Sequence, residues 1–146
     1  MTGDPLSPDP SFRQLLAPPV FIVGHARSGT TWVYDIFTSH PLVAGVYESW
    51  LFTAEGFGSF FRPPHTYDSP GRPQGVAALI PEEELLADVR ALVTRWMGQV
   101  IRPEHRYLVE KSPSHVHWVD LVERLFPDCR YVNVVRDGRD VAVSVR

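Results

Sequence analysis

The chain has 146 residues, 44% of them hydrophobic and 21% charged, which suits one soluble globular domain with one core. A formal net charge of −3 gives no general attraction to nucleic acid or to anionic membrane, so any nucleotide site must be a local cluster of cations. The single cysteine, Cys129, excludes an internal disulfide and reads as a small residue near the core.

Residues 1–18 are rich in Pro, Asp and Ser and read as an extended or disordered arm ahead of a domain over 19–146. They lack a basic start followed by an apolar core, so they are no secretory signal. No apolar run approaches the roughly 18–20 residues of a membrane span, and a cytoplasmic setting is expected by default.

Val20–Val23 is a continuous apolar run, the pattern of a strand buried on both faces of a parallel sheet. The loop that follows, Gly24-His-Ala-Arg27-Ser28-Gly29, opens into a helix over Thr30–Ser39. Backbone N–H groups at such a loop converge on one point, where the helix dipole favours negative charge. The spacing Gly24-x-x-x-x-Gly29 matches the first half of a nucleotide P-loop. Thr30 stands where the P-loop lysine belongs, and the cation comes earlier, at Arg27. That substitution argues against ordinary ATP or GTP hydrolysis. Trp32, Val33, Ile36 and Phe37 form the apolar stripe expected of the helix, and His25 either shapes the loop or touches a ligand.

Leu42–Tyr47 is a second strand candidate with Glu48 at its carboxyl end. The segment 49–79 alternates aromatic residues, Tyr67 among them, with Gly and Pro; it suits either a substrate-lining excursion or half-ordered packing. Pro81 and three glutamates start a helix that runs to about Gly98, with Leu85, Val89, Leu92, Val93 and Trp96 on one face. Arg106–Glu110 is a third strand, followed by Lys111-Ser112-Pro113, and His115–Phe126 a helix. Arg130–Val135 is a fourth strand, ending in Arg136. Asp137–Arg146 reads as the opening of a further helix, with Val141, Ala142 and Val145 apolar; it stops without a cap, as a fragment of a longer chain would.

Strands alternating with helices predict βαβ units, a mostly parallel sheet and an α/β/α three-layer fold of the P-loop NTPase kind. Ligands bind such sheets at the carboxyl ends of the strands, which sets the 24–31 loop, Glu48, Lys111 and Arg136 on one rim. Ser144 lies eight residues beyond Arg136, about two helical turns, and the pair suits a second phosphate by charge plus hydroxyl. No His, Cys and Asp cluster has metal-ligand spacing.

These residues resemble the sulfotransferases that use 3′-phosphoadenosine 5′-phosphosulfate. Gly24–Trp32 is similar to their loop for the 5′-phosphosulfate, and Arg130–Ser144 to their 3′-phosphate motif. Arg27, Glu110-Lys111-Ser112-Pro113 and Leu125-Phe126-Pro127 point to the branch with bacterial members and tyrosylprotein sulfotransferases. The resemblance spans about 20 to 146. It implies that Arg27, Ser28, Gly29, Thr30 and Thr31 hold the 5′-phosphate and sulfuryl group, and that Arg136 and Ser144 hold the 3′-phosphate. Trp32 would stack near the adenine, or is simply core. Glu48 would be the general base and Lys111 would stabilise the transferring group, with Arg27 sharing that catalytic charge. The co-substrate would be 3′-phosphoadenosine 5′-phosphosulfate, with no metal. The acceptor would be a small molecule, glycan or peptide carrying a hydroxyl or amine.

Two departures stand out. Pro113 occupies the place where aryl and steroid enzymes carry a catalytic histidine, leaving His115 as the rival base, although Ser114-His115 also reads as a helix start. The family's C-terminal third, with a further basic loop, is not in this sequence. Two other classes stay open: a P-loop kinase or NTPase, which would need a lysine at position 30 and an acidic magnesium ligand at a strand end, and a non-catalytic nucleotide-binding module.

Overall fold

The computed structural model describes residues 17–61 and 75–144. The proposed arm before residue 17, Tyr67, Val145 and Arg146 therefore lie outside the described residues. Four strands form an all-parallel sheet: β1 (Val20–Gly24), β2 (Val43–Tyr47), β3 (Tyr107–Lys111) and β4 (Arg130–Val134). Their order is β2-β3-β1-β4. The chain leaves β1 toward one edge, returns through β3, and then passes β1 to reach β4 on the other side. That reversal leaves a crevice at the carboxyl ends of the neighbouring strands β1 and β3, whose connections leave in opposite directions, the usual ligand position in such sheets.

Helices cover both faces. Alternation along a strand sends successive side chains to opposite sides. Phe21 and Val23 of β1, Ala44 of β2 and Leu108 of β3 join one core cluster with α3 (Glu82–Gly98) and α4 (Val119–Leu125). On the opposite face Gly45 of β2 meets Tyr34 and Thr38 of α1 (Thr30–Thr38). The expected α/β three-layer arrangement is therefore what the chain adopts. Phe21, Phe52 and Phe126 centre the core, their ring centroids 5.9 to 6.2 Å apart. Each fully buried side chain of this size contributes about 1.5–3 kcal/mol relative to exposure.

Two helices differ from expectation. On α1, Trp32 and Ile36 are exposed, and Val33 and Phe37 only half-buried. The sheet-facing row is instead Thr30, Tyr34 and Thr38, spaced one turn apart. The loop fixes Thr30 at the start of the helix, and this sets its rotation against the apolar pattern. The segment after β3 is no single helix: a 3₁₀ turn runs over Pro113–Trp118 before α4 begins. Strand β3 reaches Lys111, one residue further than expected, and so Glu110 and Lys111 project to opposite faces of the sheet. A short α2 (Gly58–Phe61) and a 3₁₀ turn (Gly75–Ala78) occupy the segment that the sequence left unread, and α5 (Gly138–Ser144) ends the described chain. Among the described residues no helix is long and apolar enough to cross a membrane.

Candidate active site

The β1–α1 loop is shaped by two glycines. Gly24 has φ 153°, and a Cβ there would sit 2.5 Å from the carbonyl oxygen of Val134, so β1 and β4 meet too closely for any side chain. Gly29 has φ 101° and caps α1 with no side chain over the helix end. The first intrahelical bond runs from Val33 N–H to Gly29 O, which leaves the amides of the opening turn for an incoming anion. Arg27 sits between the glycines in the left-handed region, φ 66°. A non-glycine residue held there costs on the order of 1–3 kcal/mol, a cost met at sites where the surrounding structure over-determines the backbone.

A cavity of about 510 Å³ opens over this loop. Small-molecule sites typically span about 300–1,000 Å³. Its wall carries Arg27, Gly29, Thr30, Thr31 and Trp32 from the loop and α1, Glu48 from the end of β2, and Arg136 and Ser144 from the far end of the chain. Asp35, Tyr47 and Pro113 line it too. None of the described residues of the 49–79 segment does so.

The two cationic ends touch. Arg27 Nε donates to Ser144 Oγ at 3.1 Å and to Ser144 O at 3.2 Å. Arg136 Nη1 donates to Arg27 O at 3.3 Å, and its Nε lies 3.9 Å from the Asp140 carboxylate. Ser144 was expected beside Arg136; its hydrogen bonds go to Arg27 instead. The helix that carries it is docked by Arg27, a contact that spacing within 136–144 does not reveal.

Lys111 is wholly buried beneath the cavity wall. Its Nζ donates to Glu48 Oε1 at 2.6 Å and to Thr31 Oγ1 at 3.2 Å, and lies 3.8 Å from the centre of the Tyr47 ring. A buried ammonium needs partners of this kind, since desolvating it unpaired would be costly. Tyr47 Oη completes the group at 3.4 Å from Thr31 Oγ1. Glu48 is about one-third exposed, and its own backbone is left-handed, φ 46°.

Three expected positions fall differently. Ser28 is buried, and among the described residues its hydroxyl has no hydrogen-bond partner; it lies under the loop rather than on the cavity wall. Trp32 is no core residue: it is 71% exposed, at the cavity edge. His115, the rival base, is fully buried on the other face of the sheet, with Nδ1 3.1 Å from Glu110 Oε2. It cannot meet a substrate in this cavity. Sequence reasoning passed over Tyr47 and Asp35; the position of Tyr47 directly before Glu48, alternating with Val46 along β2, was the available signal. Among the described residues no group of three or more His, Cys, Asp and Glu side chains is placed to hold a metal.

A parallel sheet with a glycine-framed loop after its first strand, and a basic corner after β4, defines an α/β protein of the P-loop-like kind. The chain belongs to the sulfotransferase family, whose pattern it matches over residues 18–146. It is similar to the nodulation protein NoeE of Sinorhizobium fredii (strain NBRC 101917 / NGR234): 27% identical over 134 residues, covering 86% of this chain and 30% of that protein. An uncharacterized protein of Aquifex aeolicus (strain VF5) is 27% identical over 128 residues, covering 86% of this chain and 16% of its own length. The chain thus spans less than a third of the length of either relative.

Proposed function

We propose that the protein transfers a sulfuryl group from 3′-phosphoadenosine 5′-phosphosulfate to an acceptor hydroxyl or amine on a small molecule, glycan or peptide. One observation carries this reading: Arg27, near the start of the chain, and Arg136 and Ser144, near its end, line a single cavity that Glu48 also lines. Family membership supports the reaction class.

The donor suits the residues present. Its two phosphates lie at opposite ends of one nucleoside, and the cavity offers cationic donors from two elements, Arg27 from the loop and Arg136 after β4. The amides of the opening turn of α1 and the Thr30 and Thr31 side chains suit the 5′ end. Arg136 and Ser144 suit the 3′-phosphate, with the Arg27–Ser144 contact opening as the nucleotide enters. Trp32, exposed at the edge, offers an apolar face to the base.

Sulfuryl transfer asks chiefly for alignment and for positive charge where negative charge grows. The acceptor oxygen or nitrogen forms a bond to sulfur as the bond from sulfur to the phosphate oxygen breaks. The acceptor proton passes to Glu48, and the leaving phosphate keeps the electron pair. Lys111 and Arg27 supply cationic stabilisation. Lys111 has a second task, since its 2.6 Å bond aims the Glu48 carboxylate.

The deciding experiment is thermal melting of the chain with adenosine 3′,5′-bisphosphate, with ATP plus magnesium, and with GTP. A ligand at 100 times its Kd stabilises by about 2.7 kcal/mol. The bisphosphate should raise Tm and the other two should do little. A larger shift with ATP plus magnesium would replace this reading by that of a kinase or NTPase, and no shift with any of them would remove the nucleotide site.

A further inference from the structure

The turn that carries Glu48 is held from behind. Glu48 and Trp50 both have positive φ, 46° and 57°, and neither is glycine. Such a turn persists only where neighbours over-determine it. Three side chains of one short stretch do so. Glu110 Oε1 accepts from Ser49 N–H at 3.3 Å and from Ser49 Oγ at 2.7 Å. Ser112 Oγ accepts from Trp50 N–H at 3.3 Å, and His115 Nε2 accepts from Phe52 N–H at 3.3 Å. Glu110, Ser112 and His115 are all fully buried, at no more than 1% exposure.

The acceptors are themselves locked. Ser112 Oγ donates to Glu110 Oε1 at 2.6 Å. His115 Nε2 accepts from a backbone amide, so its proton sits on Nδ1, which donates to Glu110 Oε2 at 3.1 Å. The Phe52 ring packs 5.0 Å from the imidazole and 5.9 Å from Phe21, tying the end of the turn to the core. Every donor in the cluster therefore has an acceptor, and the Glu110 carboxylate is buried with hydrogen bonds and, among the described residues, with no Lys or Arg ion pair. A buried charge kept this way has to be accounted for, because an apolar side chain of the same volume would be cheaper to bury.

We propose that Glu110, Ser112 and His115 are positioning residues: a buried polar clamp that fixes the backbone from Ser49 to Phe52 and thereby holds the Glu48 carboxylate against Lys111 in the cavity. This rests on Glu48 as the proton acceptor, as argued above. The alternation of β3 makes the device possible. Glu110 grips the turn from one face of the sheet while Lys111, its neighbour, grips the side chain from the other.

Glu110→Gln is the sharpest perturbation. Its Oε1 keeps its donors, but its amide nitrogen faces the Nδ1 proton of His115. Switching the histidine tautomer only moves the conflict to Phe52 N–H. Ser49→Ala is the milder companion, since it removes the hydroxyl and keeps the amide. The first readout is hydrogen exchange in the chain itself. In Glu110→Gln the amides of Ser49, Trp50 and Phe52 should exchange about tenfold faster or more, while the amides of β1 and α3 stay as they were. The second readout is turnover of the whole protein. Glu110→Gln should lower kcat by about 10–100-fold with KM for both substrates kept, the scale of a misplacement of about 1 Å. Placed on Glu48→Gln, it should cost almost nothing further, because both changes act through one carboxylate.

Exchange unchanged in both variants, or raised evenly across the chain, would overturn the clamp. So would a loss of turnover equally large in the presence and absence of Glu48. Full turnover by Glu48→Gln alone would instead remove the base reading, and the exchange pattern would still decide the clamp.

Discussion

Arg27 and Ser144 stand 117 residues apart in the chain and meet at 3.1 Å, guanidinium to hydroxyl. The contact joins the loop after the first strand to α5, the last helix described. Both groups line the cavity, so under the proposed function nucleotide binding and the docking of α5 would draw on the same atoms.

Ser144→Ala tests that coupling. The bond is solvent-exposed, so its loss should cost the fold no more than about 1 kcal/mol. Affinity for adenosine 3′,5′-bisphosphate should fall about tenfold, since a hydroxyl donor to phosphate is lost. Calorimetric titration beside a urea melt separates the two effects. A large loss of stability with unchanged affinity would make Ser144 a docking residue alone.

Arg136→Ala should weaken bisphosphate binding by about 10–100-fold, as hydrogen bonds from a charged group carry about 1.5–3 kcal/mol. Arg136→Lys should recover only part, because an ammonium lacks the planar fork. The dependence of Kd on salt should flatten in the alanine variant. Binding as tight as in the parent would place the 3′-phosphate elsewhere.

Glu48→Gln should leave bisphosphate affinity within about twofold and reduce turnover of the whole protein by about 10²–10⁴-fold, the usual contribution of a general base. Lys111→Met should lower turnover as well, and it leaves Glu48 without the cation now 2.6 Å away. Parallel loss of binding and turnover in the glutamine variant would mark Glu48 as structural.

Gly24→Ala tests the close approach of β1 and β4. A Cβ 2.5 Å from Val134 O cannot be accommodated without parting the strands, and φ 153° is unfavourable for alanine. Stability should drop by more than about 1 kcal/mol, and nucleotide affinity should fall with it. A Tm unchanged within a degree would contradict the observed geometry.

Alkaline stability follows from Cys129 and Tyr131. Burial, first among the causes, pushes the Cys129 thiol above its ordinary value of 9.0 and the Tyr131 phenol far above 10.0. Folded groups with raised values hold their protons longer than the unfolded chain does. Their contribution is whole below the ordinary values and is lost as pH climbs toward the folded ones. Urea melts should therefore show stability declining above about pH 9. Tyr131→Phe should flatten the upper part of that decline. An identical slope in that variant would assign the loss to other groups.

The order of strands and helices was legible because each element writes its pattern locally. Val20–Val23 is apolar throughout, Pro81 and its glutamates announce α3, and Gly24 and Gly29 frame the turn from β1 into α1. Part of the rim was legible for the same reason, since a parallel sheet puts its strand ends together: the loop, Glu48 and Arg136 line the cavity, whereas Lys111 is buried beneath its wall. The rotation of α1 was not. Its apolar stripe pointed one way, but anchoring of Thr30 turned Tyr34 and Thr38 to the sheet and left Trp32 outside.

The sequence by itself determined the parallel α/β layering and the glycine-framed loop after β1, because those depend on periodicity and on near neighbours. Tertiary structure alone decided which partner each polar group took. Ser144 went to Arg27, Lys111 was buried against Glu48 and the Tyr47 ring, and His115 turned inward to Glu110. A polar atom takes its partner wherever the folded chain brings one within reach, of necessity when it is buried, and that choice is made across 63 residues for the buried Lys111 and Glu48 and 117 for the exposed pair Arg27 and Ser144, far beyond any local pattern.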